Sequence, residues 1–571
     1  MQPSTLAKRG WLLLLTATAV VYFYGLGRAP FAGADEPRYA QVAREMYERG
    51  DAVTPTLGGH TWFEKPALVY WAAAAGYKIF GVAEWTARLG VALAGCLTVF
   101  VVGWTARRVE LRADEDVAGW LQLAAGAVTA TSAGFIVFSR GVNFDIFVTA
   151  TVACALAFFF AAELEPRARA QRLLHAGFYA GMGVALLAKG LIGVVIPTGV
   201  VCVYYLLRRR WPRAWKTALW GLPLTLAVAA VWYAPVIARH GWTFVDEFFV
   251  KHHFARYLSN KYHHPQPVWF YPAIIPALAL PWSAFLATSL WHAARRWRWR
   301  GGRNDGADAF STNDASGTSD APGGRDDADP LGKLRLFALA WLLFPLLFFS
   351  VSGSKLPGYI LPALPGAALL AGERLAAYVR GEGGARAMRA TGALMILPAV
   401  AGAFYELRVT ELSRVCIVLV AAPVVAAGAY VLLAPGRRAA CALVVAGASF
   451  LTTMLIVGCA VERVAARESM RDLLRAAEAR GYGEAPVLNL HTIERTSQFY
   501  AAGRVLYDDA REEPRKYEGV GEVLEVLRER GGTLLVIVPE EYARQLLDFR
   551  PLEVEVIGDN GENVLAAVRA R

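Results

Sequence analysis

Apolar residues in this chain fall in long blocks separated by short polar stretches. The blocks cover roughly 11–26, 84–105, 117–137, 146–162, 173–188, 191–207, 215–237, 270–292, 334–351, 359–372, 388–404, 412–434 and 438–459. A helix needs about 20 residues, mostly apolar, to cross the hydrocarbon of a bilayer. Its backbone polar groups are satisfied within the segment, so such blocks predict helices. The pattern therefore predicts a polytopic α-helical membrane protein of about thirteen transmembrane helices. The block 359–372 is the shortest, and it carries Pro362 and Pro365.

The basic residues test this count. Lys8 and Arg9 precede the first block. With that end inside, alternation places Arg107-Arg108, Arg167 to Arg172, Arg208 to Lys216, Arg295 to Arg303, Arg374 to Arg389 and Arg437-Arg438 inside as well. Cytoplasmic loops carry such an excess of arginine and lysine. An odd number of spans then puts the C-terminal segment outside. No small-residue cleavage pattern follows the first block cleanly, so it reads as a retained span.

Three polar stretches break the rhythm. Residues 301–330 are rich in Gly, Ser and Asp and predict a disordered cytoplasmic linker. From about Glu462 the composition turns soluble. Helices are predicted at Arg467 to Arg480, Val523 to Arg530 and Glu540 to Leu547, and strands at Pro486 to Leu490, Arg504 to Tyr507 and Thr533 to Val538. That makes residues 1–460 a membrane domain and 461–571 a small soluble α/β domain. The third stretch is the outside loop 27–82. Asp35 suits a helix N-cap, Pro37 the first turn, and Gly50 the stop. Tyr39, Val42, Ala43, Met46 and Tyr47 recur at helical spacing, while Arg38, Arg44, Glu45, Glu48 and Arg49 form the other face. This predicts an interfacial helix on the membrane surface.

Composition adds exclusions. Of 571 residues 56% are hydrophobic and only 19% charged, below the roughly 25% of soluble domains. The net charge of +11 lies in the inside loops and follows topology, with no nucleic-acid motif beside it. Cys96, Cys154, Cys202, Cys416, Cys441 and Cys459 lie in or at the edge of apolar blocks and read as small buried hydrophobes.

The unusual charged groups gather on the outside face. Asp145 stands at the mouth of an apolar block, after Ser139-Arg140-Gly141-Val142-Asn143-Phe144. An ionisable group there is costly to desolvate and suggests function; an ion pair with Arg140 is the plainer reading. Loop 238–268 holds His252, His253, His263 and His264, which suit either a metal or an interfacial position. Lys189 lies in a tight outside turn, and Lys355 in Gly353-Ser354-Lys355-Leu356-Pro357-Gly358-Tyr359. With Arg38, Lys65 and Arg256 they suit an anionic lipid headgroup. Carboxylates Asp35, Glu64 and Asp145 suit a metal, sugar hydroxyls or a sugar amine. The combination predicts sugar transfer from a lipid-phosphate donor, with no nucleotide: no P-loop or nucleotide-binding glycine motif is present.

The stretches ADEPRYAQVAREMYERGDAVTPTLGGHTWFEKPALVYW, FFVKHHFARY, PVWFYPAIIPALALPW and SGSKLPGYILPALP resemble the bacterial lipid A aminoarabinose transferases. That family sits within the protein-mannosyltransferase-like group of the C-type glycosyltransferase fold. The resemblance covers the membrane part to about residue 370. It implies transfer of 4-amino-4-deoxy-L-arabinose from undecaprenyl phosphate to lipid A phosphate at the periplasmic face of the inner membrane, and resistance to cationic antimicrobial peptides such as polymyxin. By match, Asp35 is the first-loop acidic residue and Asp145 the candidate for the second. Glu64 and His253 are implied near a divalent metal, zinc or another. Lys65 and Arg38, with Arg256, Lys189 and Lys355, are implied near the donor phosphate; Tyr39, Trp62 and Tyr359 line the substrate. Trp62 stands where the family leads one to expect tyrosine. Rival readings are a related glycosyltransferase acting on protein or another glycan, and a lipid-linked sugar transporter, which predicts polar groups nearer the midplane.

Overall fold

The computed structural model describes residues 5–113, 119–210, 221–254, 266–301, 329–409, 412–508, 510 and 512–571. In their described residues the thirteen apolar blocks are each a helix or a broken pair of helices. They are α1 (Thr5–Phe23), then, after an outer loop, α4 (Glu84–Glu110), α5 (Trp120–Thr131) with α6 (Ala133–Phe138), α7 (Phe144–Leu164), α8 (Ala168–Lys189), α9 (Ile192–Leu207), α10 (Leu222–Val245), α11 (Phe270–Leu278) with α12 (Ser283–Gly301), α13 (Pro330–Ser350), α14 (Leu364–Arg380), α15 (Arg386–Val409), α16 (Arg414–Leu433) and α17 (Arg438–Cys459). The outer loop contributes α2 (Asp35–Arg49) and α3 (Leu68–Phe80).

Among the described residues, eight helices are long and apolar enough to cross a membrane. The other five blocks fall short for local reasons. Lys8 and Arg9 lie within α1, and α8 opens with Arg169 and Arg172. α9 has only 16 residues. The blocks 117–137 and 270–292 are split, the first at Ser132, whose backbone is extended.

The bundle has a dense centre and an open edge. α7 is packed along α8 and α4, and α14 along α5 and α13. At one end of these helices the predicted inside arginines meet carboxylates: Arg107 with Glu110 at 2.9 Å, Arg208 with Glu163 at 3.0 Å, and Arg374 with Glu373 at 3.1 Å. α15, α16 and α17 lie at the edge and leave most of their surface uncovered, as lipid-facing helices do. Cys416, at the start of α16, is disulfide-bonded to Cys459, at the end of α17. That corrects the reading of all six cysteines as buried hydrophobes.

The C-terminal residues form a five-stranded mixed sheet in the order Lys516–Tyr517, Val487–Leu490, Leu534–Pro539, Asn563–Ala570, Leu552–Asp559. The first two pairings are parallel and the last two antiparallel. The last two strands form a hairpin absent from the sequence reading. Asn560 turns it by accepting the Glu562 and Asn563 amides, and Gly561 takes the positive φ that favours glycine.

Helix α2 differs from its expectation in two ways. Its N-cap is Ala34, without a side-chain cap; Asp35 is the first helical residue and pairs with Arg38. A carboxylate in the first turn still faces the positive end of the helix dipole. The stop at Gly50 is as expected, with φ +64° and its amide on Met46 and Tyr47 carbonyls. α2 also does not simply lie on a membrane surface. One face is buried against α3, and another meets the C-terminal domain, where Arg44 donates to the Phe499 carbonyl at 3.3 Å.

Candidate active site

Asp145 sits in the first turn of α7, and Lys189 is the last residue of α8. The two helices are antiparallel neighbours, so these groups meet at one end of the bundle and form an ion pair. Both side chains are largely enclosed. Asn143 starts α7 by accepting the Ile146 amide at 3.0 Å, and it ties the preceding turn by donating to the Phe138 and Gly141 carbonyls. Arg140 is not the partner of Asp145. It donates to the carbonyls of Val21, Tyr22 and Tyr24, at the end of α1.

The segment after α13 closes over this pair. The Lys189 ammonium lies 4.7 Å from the centre of the Tyr359 ring, a cation–π contact. Gly358 lies against Asp145, and a Cβ there would meet both the carboxylate and Phe138, the latter at 2.7 Å. Lys355 is buried, and its ammonium donates to the Ser352 carbonyl at 2.6 Å and the Gln266 carbonyl at 2.8 Å. Tyr271 donates to the Leu356 carbonyl at 3.1 Å. Lys355 thus shapes the segment that delivers Gly358 and Tyr359.

A second cluster lies on the outer loop. Asp35 pairs with Arg38, whose Nε donates to the Ala34 carbonyl at 2.7 Å. Arg38 lies 5.6 Å from the Trp62 ring, and Glu64 pairs with Lys65. Burial pulls the Arg38 pKa down, but the charges of Asp35 and Glu64 outweigh it and hold the guanidinium above its ordinary value. Burial, then Glu64 and Asp35, push the Tyr39 hydroxyl well above its ordinary range. Tyr39 therefore stays a neutral phenol.

The two clusters are joined. The Tyr39 ring is edge-on to Phe144, the neighbour of Asp145, at 4.8 Å. Glu36 accepts the Val142 amide at 2.8 Å and takes both arms of Arg88, at 2.7 and 2.8 Å. Arg88 also donates to the Leu26, Ala29 and Pro30 carbonyls. The sequence reading did not single out Glu36 or Arg88. The signal was an arginine inside an apolar block, which needs a buried partner.

His252 and His253 fall on a π-helical segment, Asp246–Phe254, but their side chains lie outside the described residues, as do Arg256, His263, His264 and most of the linker 301–330. Among the described residues no group of three His, Cys, Asp or Glu side chains could hold a metal.

Residues 10–245 match the family model described as dolichyl-phosphate-mannose-protein mannosyltransferase. The chain is thus a multi-pass helical membrane protein whose N-terminal part matches that family. It is 31% identical over 413 residues to an undecaprenyl phosphate-alpha-4-amino-4-deoxy-L-arabinose arabinosyl transferase of Pseudomonas aeruginosa, covering 70% of this chain and 66% of that relative. A second such transferase, from Pseudomonas fluorescens, is 32% identical over 67% of this chain and 63% of its own. The crystal structure of ArnT from Cupriavidus metallidurans bound to undecaprenyl phosphate superposes with a TM-score of 0.72 at 25% identity, over 98% of each chain. The chain belongs to this aminoarabinose transferase family.

Proposed function

We propose that the protein transfers 4-amino-4-deoxy-L-arabinose from undecaprenyl phosphate to a phosphate of lipid A, at the periplasmic face of a bacterial inner membrane. The product carries an added amine, which lowers the negative surface charge and so gives resistance to cationic antimicrobial peptides such as polymyxin. The observation that carries this reading is the enclosed Asp145–Lys189 pair under Tyr359, joined through Phe144 and Tyr39 to the Asp35–Arg38 pair. Carboxylates and cations stand together at one end of a lipid-embedded bundle, where a polyprenyl phosphate and a lipid acceptor can both arrive.

The chemistry follows from the charges. The acceptor oxygen belongs to a phosphate and is already anionic, so no strong general base is needed. The anomeric carbon forms a bond to that oxygen as its bond to the donor phosphate breaks. The difficulty is departure of the donor phosphate, which Lys65, Arg38, Lys189, Lys355 and Arg256 stabilise electrostatically. Asp35 and Asp145 orient the sugar, and its ammonium is a partner for one of them. Tyr39, Trp62 and Tyr359 line the substrate. A divalent metal on Glu64 and His253 belongs to the same reading; when bound it supplies positive charge to the leaving group. Glu64 contributes the described half of that pair.

The test is transfer with purified donor and lipid A, comparing wild type with Asp35→Ala and Asp145→Ala. Loss of transfer in both supports the reading and full activity in both overturns it; a trapped glycosyl adduct on either carboxylate overturns the direct displacement. Stripping metal with a chelator should lower activity and added zinc restore it; unchanged activity removes the metal from the proposal.

A further inference from the structure

The C-terminal domain touches the outer loop before, along and after α2. Before α2, Phe499 is edge-on to Phe31 at 4.7 Å, and the Tyr500 hydroxyl accepts the Phe31 amide at 2.7 Å. Along α2, Arg44 donates to the Phe499 carbonyl at 3.3 Å and lies over the Phe499 ring. After α2, Tyr507 packs on Gly58 so closely that no Cβ fits there. Glu45 ties the same turn back to α2 by accepting the Gly58 amide at 2.7 Å. The domain therefore spans α2 from its entry to the turn that follows it.

The entry to α2 is held by side chains. Residues 26–31 form neither helix nor strand, so their buried backbone groups need other partners. Arg88 of α4 supplies one side: it donates to the Leu26, Ala29 and Pro30 carbonyls and lies 4.9 Å from the centre of the Phe31 ring. The C-terminal domain supplies the other. Tyr500, having accepted the Phe31 amide, donates onward to Glu84, the first residue of α4, at 3.1 Å. Arg471 is buried; it donates to the Arg28 carbonyl at 3.4 Å and lies 3.7 Å from Glu84. Asp472 and Glu462, at 2.8 and 3.6 Å, balance the rest of its charge. Phe31 is fully enclosed among these groups, four residues before Asp35.

The Asp35 carboxylate is exposed and can change partners. Its backbone must stay in place for it to meet a bound sugar productively, since a misplacement of about 1 Å costs up to roughly a hundredfold in rate. We propose that Tyr500 and Arg471 are positioning residues for the transfer: reaching from the C-terminal domain, they fix the backbone that carries Asp35, so the domain completes the active site. This rests on the proposed role of Asp35 in orienting the donor sugar. Neither residue touches a substrate; both act through Arg28, Phe31 and Glu84.

The experiment uses the full-length protein in nanodiscs, with donor and acceptor each varied. Tyr500→Phe combined with Arg471→Gln should lower kcat about tenfold, the fold-change of one or two hydrogen-bonded contacts. Both KM values should stay within about twofold of wild type. The same pair of substitutions added to Asp35→Asn should change kcat by less than about twofold, because no carboxylate is left to position. An equal loss there would mean that the contacts only keep the protein folded, and would overturn the proposal. So would a raised KM with unchanged kcat, which would give the contacts to substrate binding. Should the double substitution fold poorly, Tyr500→Phe alone carries the same cycle with a loss of about threefold. Amide exchange needs no substrate. It should quicken over residues 27–34 and stay unchanged over Leu534–Pro539, the central strand of the C-terminal sheet; unchanged exchange over 27–34 overturns the anchoring. If the wild type transfers no sugar to lipid A, the functional reading falls alone, and the exchange result decides the anchoring.

Discussion

The two carboxylates of the site live in different surroundings. Asp145 is 16% exposed and pairs with a lysine 44 residues away on another helix. Asp35 is 55% exposed and pairs with an arginine one turn along its own helix. The first pair is part of the packing that joins α7 to α8, and the second is a local ion pair that solvent screens. Breaking a buried pair costs about 3–5 kcal/mol because one charge is left stranded, whereas an exposed pair is worth roughly 0–1 kcal/mol. The difference teaches that one carboxylate is held as a fixed feature of the fold, while the other is available to move onto a substrate.

The largest effect is expected at the fixed carboxylate. Asp145→Asn should reduce transfer by about a thousandfold, at the upper end of losses when one aligned charge is removed. It should also lower thermal stability, because Lys189 remains largely enclosed without its partner. The double variant Asp145→Asn with Lys189→Met should recover stability but not activity. Recovery of both would mean that the pair only holds the helices together, and the comparison would collapse. Asp35→Asn is the contrasting case. It should reduce transfer by about a hundredfold and shift the melting temperature little, since the Asp35–Arg38 pair is exposed. A large melting shift would show that Asp35 is structural as well.

Gly358 sharpens the comparison without touching a charge. A methyl group there meets the Asp145 carboxylate and Phe138. Gly358→Ala should displace Asp145 and lower transfer about tenfold, with an overpacking penalty of roughly 1–3 kcal/mol. The Asp35 cluster should be unaffected, so the Arg38 contribution to donor KM should match wild type. Equal activity in Gly358→Ala would show that Asp145 tolerates movement.

Much of this was legible before the structure. The apolar blocks predict the helices because lipid permits few alternatives. Asp145 and Lys189 stood out because charge at the edge of an apolar block is expensive. Their pairing was not legible: α7 and α8 bring together residues that the sequence separates, and Arg140, the nearer candidate, is drawn to α1 carbonyls instead. The Cys416–Cys459 disulfide was hidden for the same reason, since its residues lie 43 apart in blocks where cysteine packs as an ordinary hydrophobe. Asp35 looked like a cap because carboxylates favour helix starts, but Ala34 takes that position and frees Asp35 to meet Arg38. The C-terminal contacts were the least visible, because Tyr500 reaches Glu84 across 416 residues and matches no local pattern.

Tyr500 gives the smallest and most diagnostic prediction. Its hydroxyl joins the Phe31 amide to Glu84, and Phe31 lies four residues before Asp35, beneath the guanidinium of Arg88 at 4.9 Å. Burial raises the Tyr500 pKa, so the phenol stays protonated and donates to Glu84 across the physiological range. Tyr500→Phe keeps the ring packing against Phe31 but removes both hydrogen bonds, a loss of about 1–3 kcal/mol of local order where a buried amide is left unpaired. The loosened segment reaches Asp35 directly, but reaches Asp145 only through Glu36 and Arg88, which remain intact. The expected outcome is faster amide exchange over residues 27–34 with kcat lowered about threefold and no change at the α7 start. Exchange that also rises at residues 141–146 would show that the two carboxylates share one support, and the contrast between a fixed and a movable group would then be one of exposure alone.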